Sequence, residues 1–316
     1  MGTDKSLETW NQCRKVIRVR HNEGTTVKRS TFATAAALAV VTAAAAGFGV
    51  SKMLVGPGAG AGVDCRTASG DARTACYTKL LSDRLAANGV ADAVGLLDAL
   101  AAADPDVAEH AHEYSHGIGI EAFGRSTDIP ATFAACGDGF SSGCRHGVIQ
   151  AYFESREHVT QPEVEALCQP FKSGSASRWV LFQCVHGMGH GLTMFHGHDL
   201  PRALTDCDLL SDGWDRESCY GGAFMENVIN ATSPHHPATQ LAAHGAHHQS
   251  ANTFKAIEPN DPLYPCSIMA DRYLHACYQM QTSVILHLNH GNIGGAAKSC
   301  ERAPGAMRAE IGRAHV

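Results

Sequence analysis

Two histidine pairs carry the chemistry this sequence advertises. His112 and His116 stand four residues apart in HEYSH, and His186 and His190 do the same in HGMGH. On a helix, residues i and i+4 share one face one turn apart, the spacing at which two imidazoles chelate a metal. His146, in CRHGVIQAYF, is a single histidine between them. Imidazole nitrogen suits copper, iron, nickel or zinc, whereas calcium and magnesium take oxygen ligands. The same histidines also suit a plainer role, as paired polar groups in a seam where glycines let helices approach closely.

A carboxylate follows in GGAFMEN, where Glu226 sits beside Asn227. Glu226 has three candidate roles: metal ligand, general base at the open coordination position, or acceptor that orients an imidazole. The catalytic role beside the open position is the sharpest expectation, and a solvated helix carboxylate is the plainer one. Asn227, Arg145 and Glu154 are candidates for the surrounding shell or for substrate contact. Arg145 either holds an anion or stands on the surface as a solvated arginine.

The elements that position these residues are marked by cysteines. Cys144, Cys184, Cys219 and Cys277 each begin a similar stretch (CRHGVIQAYF, CVHGMGHGLTMF, CYGGAFMENV, CYQMQTSVIL), recurring at intervals of roughly 35 to 60 residues. Each is preceded by a short segment that ends in another cysteine: Cys136, Cys168, Cys207 and Cys266. Cys65 and Cys76 stand in the same relation, and His110 occupies the cysteine place of one further unit. Local pairing follows: Cys65 with Cys76, Cys136 with Cys144, Cys168 with Cys184, Cys207 with Cys219 and Cys266 with Cys277. Each bridge is expected to tie the end of a short helix to the start of a long one, although spacing alone leaves other connectivities open. The absence of any CxxC argues against zinc-thiolate knuckles. Cys300 has no partner in this scheme, and Cys13 falls before the apolar span.

Counted from these starts, His112, His146, His186, Gly221 and Gln279 stand two residues on, and His116, Gln150, His190, Met225 and Ser283 six residues on. The apolar positions Val148, Tyr152 and Phe153, or Met188, Leu192 and Phe195, recur at helical spacing, so the fold class is all-α, built as stacked helical hairpins stapled by local disulfides. Stacking aligns equivalent positions, which places His146 between the two pairs. Across residues 64–302 this period and layout resemble tetratricopeptide-like helical repeat proteins, including those stapled by one disulfide per repeat. The tryptophan-leucine-glycine-tyrosine signature of those repeats is absent, so the resemblance implies architecture and not peptide binding.

Composition narrows the setting. The chain has 316 residues, 44% hydrophobic and 18% charged, with twelve cysteines and nineteen histidines. A net charge of -6 offers no basic field for nucleic acid. Residues 1–30 are basic, and 31–55 contain an apolar, alanine-rich span long enough to cross a bilayer or to serve as a signal segment; a buried alanine helix is the remaining reading. The first two readings export everything after a glycine-rich linker at 56–63. The exported Cys/His-rich domain runs over 64–310, with an insertion at 230–265 that carries His235, His236, His244, His247 and His248 and reads as a long loop. The final EIGRAHV back-translates to GAGATCGGAAGAGCACACGTC, which contains the start of a common sequencing adapter. Residues 311–316 are therefore expected not to be protein sequence, with the true chain continuing beyond.

Neither GxGxxG, a P-loop nor CxxCH occurs. The function expected is an exported, membrane-anchored or secreted protein with one or two copper, iron or zinc ions held by His112, His116, His146, His186 and His190, used for oxidation or hydrolysis of a small-molecule or peptide substrate. Five imidazoles on packed helices also suit a dinuclear copper arrangement. The alternatives are a helical scaffold for a peptide or glycan, and a metal store or sensor.

Overall fold

Short helices in this chain announce themselves by a polar cap and a proline in the first turn. Asp128 precedes Ile129–Cys136 and accepts from the Ala131 amide at 3.1 Å; Asp199 precedes Leu200–Cys207 and accepts from Arg202. Before Gln161–Leu167, the Glu163 carboxylate reaches back to the Thr160 amide at 3.1 Å. Pro130, Pro162 and Pro201 follow in the first turn, where no intrahelical amide is needed.

The computed structural model describes residues 64–126, 128–172, 177–232 and 254–311. The expected basic segment, apolar span and linker, the five insertion histidines and residues 312–316 lie outside them. The helices in order are α1 Gly70–Asn88, α2 Val90–Ala103, α3 Pro105–Glu109, α4 Ala111–Arg125, α5 Ile129–Cys136, α6 Gly143–Glu154, α7 Gln161–Leu167, α8 Gln169–Lys172, α9 Arg178–Phe195, α10 Leu200–Cys207, α11 Gly213–Thr232, α12 Asp271–Met280, α13 Thr282–Leu288 and α14 Ile293–Glu301. Among the described residues the only strand-like pairing is one bridge between Glu258 and Asp261, so the chain is all-helical. None of the described helices is long and apolar enough to cross a membrane.

All five expected disulfides form. Their attachment differs from the expectation, because only Cys144 lies at the start of its long helix. Cys76, Cys184, Cys219 and Cys277 each occupy the seventh position, so the short segment is stapled across the second turn of the long one. The cause lies in the residues upstream: ARTAC, RWVLFQC, WDRESC and RYLHAC are all compatible with helix and contain no breaker. Cys300, expected to be an orphan, is disulfide-bonded, and no described cysteine is free. Five local bridges fit an oxidising compartment outside the cytoplasm.

Successive long helices pack against each other, α4 on α6, α6 on α9, α9 on α11 and α11 on α12. One apolar cluster runs through them from Cys65 to Ile311 and includes the fully buried Leu97, Phe133, Ile149, Phe153, Met188, Leu192 and Phe224. The insertion is partly helix and partly packed chain: α11 continues to Thr232, and Leu263 is buried in the core. The described part of the insertion is helical only through Thr232, and residues 254–265 are irregular chain that packs on the core through Leu263. Gln281 explains one anchor, since its buried amide donates to the carbonyls of Pro262 at 2.9 Å and Tyr264 at 2.8 Å.

Two of the crossings bring backbone onto backbone. A Cβ at Gly119 would lie 1.9 Å from the Cys144 carbonyl oxygen, and one at Gly147 would lie 2.1 Å from that of His116. At the second crossing, a Cβ at Gly189 would meet the Cys219 oxygen at 2.0 Å, and one at Gly222 the His186 oxygen at 1.9 Å. In CVHGMGHGL the three glycines divide the work. Gly187 and Gly191 face α6, next to His146 and Ile149, while Gly189 faces α11. The histidines are thus carried on helices closer together than any side chain at these positions would allow.

Candidate metal centre

His112 and His116 project from one face of α4 with ring centroids 5.2 Å apart. His186 and His190 do the same on α9 at 5.1 Å. His146, from the intervening α6, lies between the pairs, 6.0 Å from His112, 5.9 Å from His116, 6.0 Å from His186 and 4.8 Å from His190, stacked on the last. Glu226 completes the group from α11. His116, His146, His186, His190 and Glu226 are buried, and His112 is half-buried.

Donor atoms of His112, His116 and His146 all lie within 4.8 Å of one another, a group able to hold a metal ion. Ligands around one ion at about 2.0–2.1 Å stand roughly 3.4 Å apart in a tetrahedron, so these three imidazoles would hold an ion only with a closer approach of their donor atoms.

The hydrogen bonds fix which nitrogen is available. His112 Nδ1 lies 2.8 Å from the Phe140 carbonyl oxygen, which can only accept, so Nδ1 carries the proton and, in the neutral ring, Nε2 does not. His190 Nδ1 donates to Glu226 Oε2 at 2.8 Å, which leaves Nε2 buried and without a hydrogen-bond partner among the described residues. His146 is held the other way round: Nε2 donates to Gln183 Oε1 at 3.2 Å, and its buried Nδ1 has no such partner. Burial pushes the His112 imidazole below its ordinary range, with His190 adding to the effect against the opposing pull of the Phe140 carbonyl and Glu226. Burial, then His190, His186 and His112, holds His146 well below that range. Both rings are therefore neutral at physiological pH, the form that coordinates.

The Phe140 carbonyl is delivered by an unusual strap. Phe140, Ser141 and Ser142 all have left-handed backbone, with φ of 52°, 51° and 62°. Such residues cost about 1–2 kcal/mol each and persist where the surroundings enforce them. Arg145 supplies part of that enforcement. It is buried, not on the surface as one reading held, and its guanidinium pairs with Asp138 and donates to the Phe133 carbonyl at 3.2 Å.

Glu154 accepts from Gln150 at 2.9 Å, and buried Asn227 donates to the Ala256 carbonyl at 3.1 Å. Neither these two nor Arg145 lines the cavity that opens onto the histidines.

That cavity, of about 980 Å³, is lined by His112, His146, His186 and His190 but not by His116. The positions two residues after each long-segment start, His112, His146, His186, Gly221 and Gln279, all line it. Its outer wall carries Trp179, Phe182 and Trp214, which sequence patterns did not single out. His275 also lines it, held between Glu217 and Glu310. His198 was missed as well. It lies near enough to Glu226 for that carboxylate to offset part of the lowering that burial imposes on its imidazole, and its φ is 64°. The only sequence signal for it was the HGH that closes α9.

Compared with protein-family models, curated proteins and solved structures, the chain finds no match.

Proposed function

We propose that the histidine cluster is a transition-metal centre, held by His112, His116, His146, His186 and His190, in a protein exported to an oxidising compartment and tethered there by its N-terminal apolar segment or secreted after its removal. The observation that carries this reading is the set of acceptors behind the imidazoles. A carbonyl, an amide oxygen and a carboxylate each take one ring proton, on His112, His146 and His190, and the second nitrogen of His146 and of His190 is left buried without a hydrogen-bond partner among the described residues. Coordinating histidines are characteristically oriented in this way. In a purely structural seam, imidazoles gain nothing from keeping buried lone pairs away from hydrogen bonds, because each such atom costs about 1–3 kcal/mol.

Copper, iron or zinc suits this donor set. Such an ion would supply Lewis acidity or, for copper and iron, one-electron chemistry. Glu226 then acts as a positioning residue: its buried carboxylate orients His190 and offsets the charge of the ion through the imidazole. The adjoining cavity favours catalysis over storage, since a store has no use for an organic-sized space at the metal. The cysteine-led helices are read as successive hairpin repeats, with the histidines on the repeat positions that face this cavity.

Elemental analysis of protein purified without a histidine tag tests the centre. At least one equivalent of copper, iron or zinc per chain is expected, reduced in His112→Ala and His186→Ala. A content well below one equivalent after incubation with each metal would overturn it.

A further inference from the structure

The cavity wall has a chemistry of its own. Trp179, Phe182 and His186 stand at i, i+3 and i+7 on α9, so their rings share one face. Trp179 stacks on Phe182 with centroids 5.5 Å apart and planes at 22°, and Phe182 stacks on His186 at 5.0 Å and 28°. Trp214 closes the strip from α11, 6.3 Å from Phe182. A run of aromatic rings therefore leads from solvent, where Trp179 is 52% exposed, to an imidazole of the cluster.

The remaining wall is formed in part by Met225, Ile229 and Met280, apolar and, at the thioethers, deformable. Gly221 also lines the cavity, and a Cβ there would make only ordinary contact, 3.6 Å from His186 Nδ1 and 3.8 Å from Met280 Cε.

The geometry points to a planar aromatic ligand with one polar end, lying on Trp179 and Phe182 and presenting that end to the imidazoles; the role of the polar end rests on the metal reading above. Aromatic faces select flat π systems by offset stacking. A saccharide would also stack, and Gln183, Ser218 and Gln279 in the lining would take some of its hydroxyls, but those directed at Met225, Ile229 and Met280 would lose their hydrogen bonds to water. A flat hydrocarbon body with a single terminal hydroxyl leaves nothing unpaired there.

Calorimetric titration of the full chain with p-cresol, 4-methylcyclohexanol and methyl β-glucoside tests the assignment, in metal-free and zinc-loaded protein. The two alcohols share a carbon skeleton and differ in planarity. Cresol is expected to bind about tenfold more tightly than methylcyclohexanol, and Trp179→Ala to weaken cresol about three- to tenfold without affecting the other alcohol. Trp179 is half exposed, so this variant folds; Phe182→Leu, which keeps an apolar side chain, is expected to act in the same direction. Equal binding of the two alcohols, tighter binding of the glucoside, no binding of cresol, or cresol affinity unchanged in both variants would overturn the proposal. The wall contains no metal, so selection for cresol by a protein that takes up no metal would retire the metal centre and leave this site standing. Metal uptake without selection would do the reverse.

Discussion

Replacing Gly189 by alanine is expected to destabilise the protein by about 3 kcal/mol or more and to strip the metal site of its geometry. The added Cβ would lie 2.0 Å from the Cys219 oxygen and 2.5 Å from the Ala223 nitrogen, whereas real Cβ contacts essentially never fall below 3.0 Å. Both atoms are backbone, so no rotamer change relieves the clash, and α9 and α11 must separate by at least the missing 1 Å. Overpacking a buried contact costs about 1–3 kcal/mol. The same separation stretches the buried bond from His190 to Glu226, now 2.8 Å, out of hydrogen-bond range, and a charged hydrogen bond is worth about 1.5–3 kcal/mol.

Gly95→Ala and Gly124→Ala are the matched controls. Both glycines lie within helices with nothing within 4 Å of the added carbon, so alanine should stabilise by roughly 0.5–1 kcal/mol through chain entropy and helix propensity. Urea denaturation of the three metal-free variants reads the difference, which spans roughly 4 kcal/mol between like substitutions. A Gly189→Ala protein as stable as the controls, or one that retains full metal content, would show that the helices do not touch through backbone at this crossing.

Three further outcomes are expected. Glu226→Gln keeps an acceptor for His190 but removes the charge, so metal affinity should fall about 10- to 100-fold with helicity by circular dichroism unchanged; undiminished affinity would remove Glu226 from the centre. His112 and His146 have imidazoles held below the ordinary value of 6.5, so the folded metal-free protein binds fewer protons than the unfolded chain. Their contribution to stability is complete above that value and is lost as pH falls through it toward the lowered folded values; a urea midpoint that rises on acidification from neutral pH would contradict this sign. The disulfides close loops with separations between 8 and 16 residues, each worth about 2.5–3 kcal/mol by chain entropy. Full reduction should unfold the chain at ambient temperature, and near-ultraviolet circular dichroism that survives reduction would refute the need for them.

Much of the centre was legible because it depends on local regularity. A four-residue histidine spacing fixes a common helix face, so the shared face of His112 and His116, or His186 and His190, follows from the chain alone, whereas the cysteine spacing favours the local pairings and the structure selects them. The helix starts were less legible. The cysteines looked like boundaries, but helix-compatible residues precede most of them, and a bridge can staple the second turn as well as the first.

What only the tertiary structure decided is which nitrogen of His112, His146 and His190 carries the proton and what lies in front of the imidazoles. The Phe140 carbonyl, Gln183 and Glu226 come from 28 to 37 residues away and act through hydrogen-bond direction, which no periodicity encodes. The left-handed strap has no glycine at its three strained positions, and the aromatic wall joins Trp214 on α11 to residues of α9. Sequence spacing determines the face on which a side chain stands. Helix crossing determines what that face meets, and here the crossings are set by backbone contact at glycines, where the missing atom is the information.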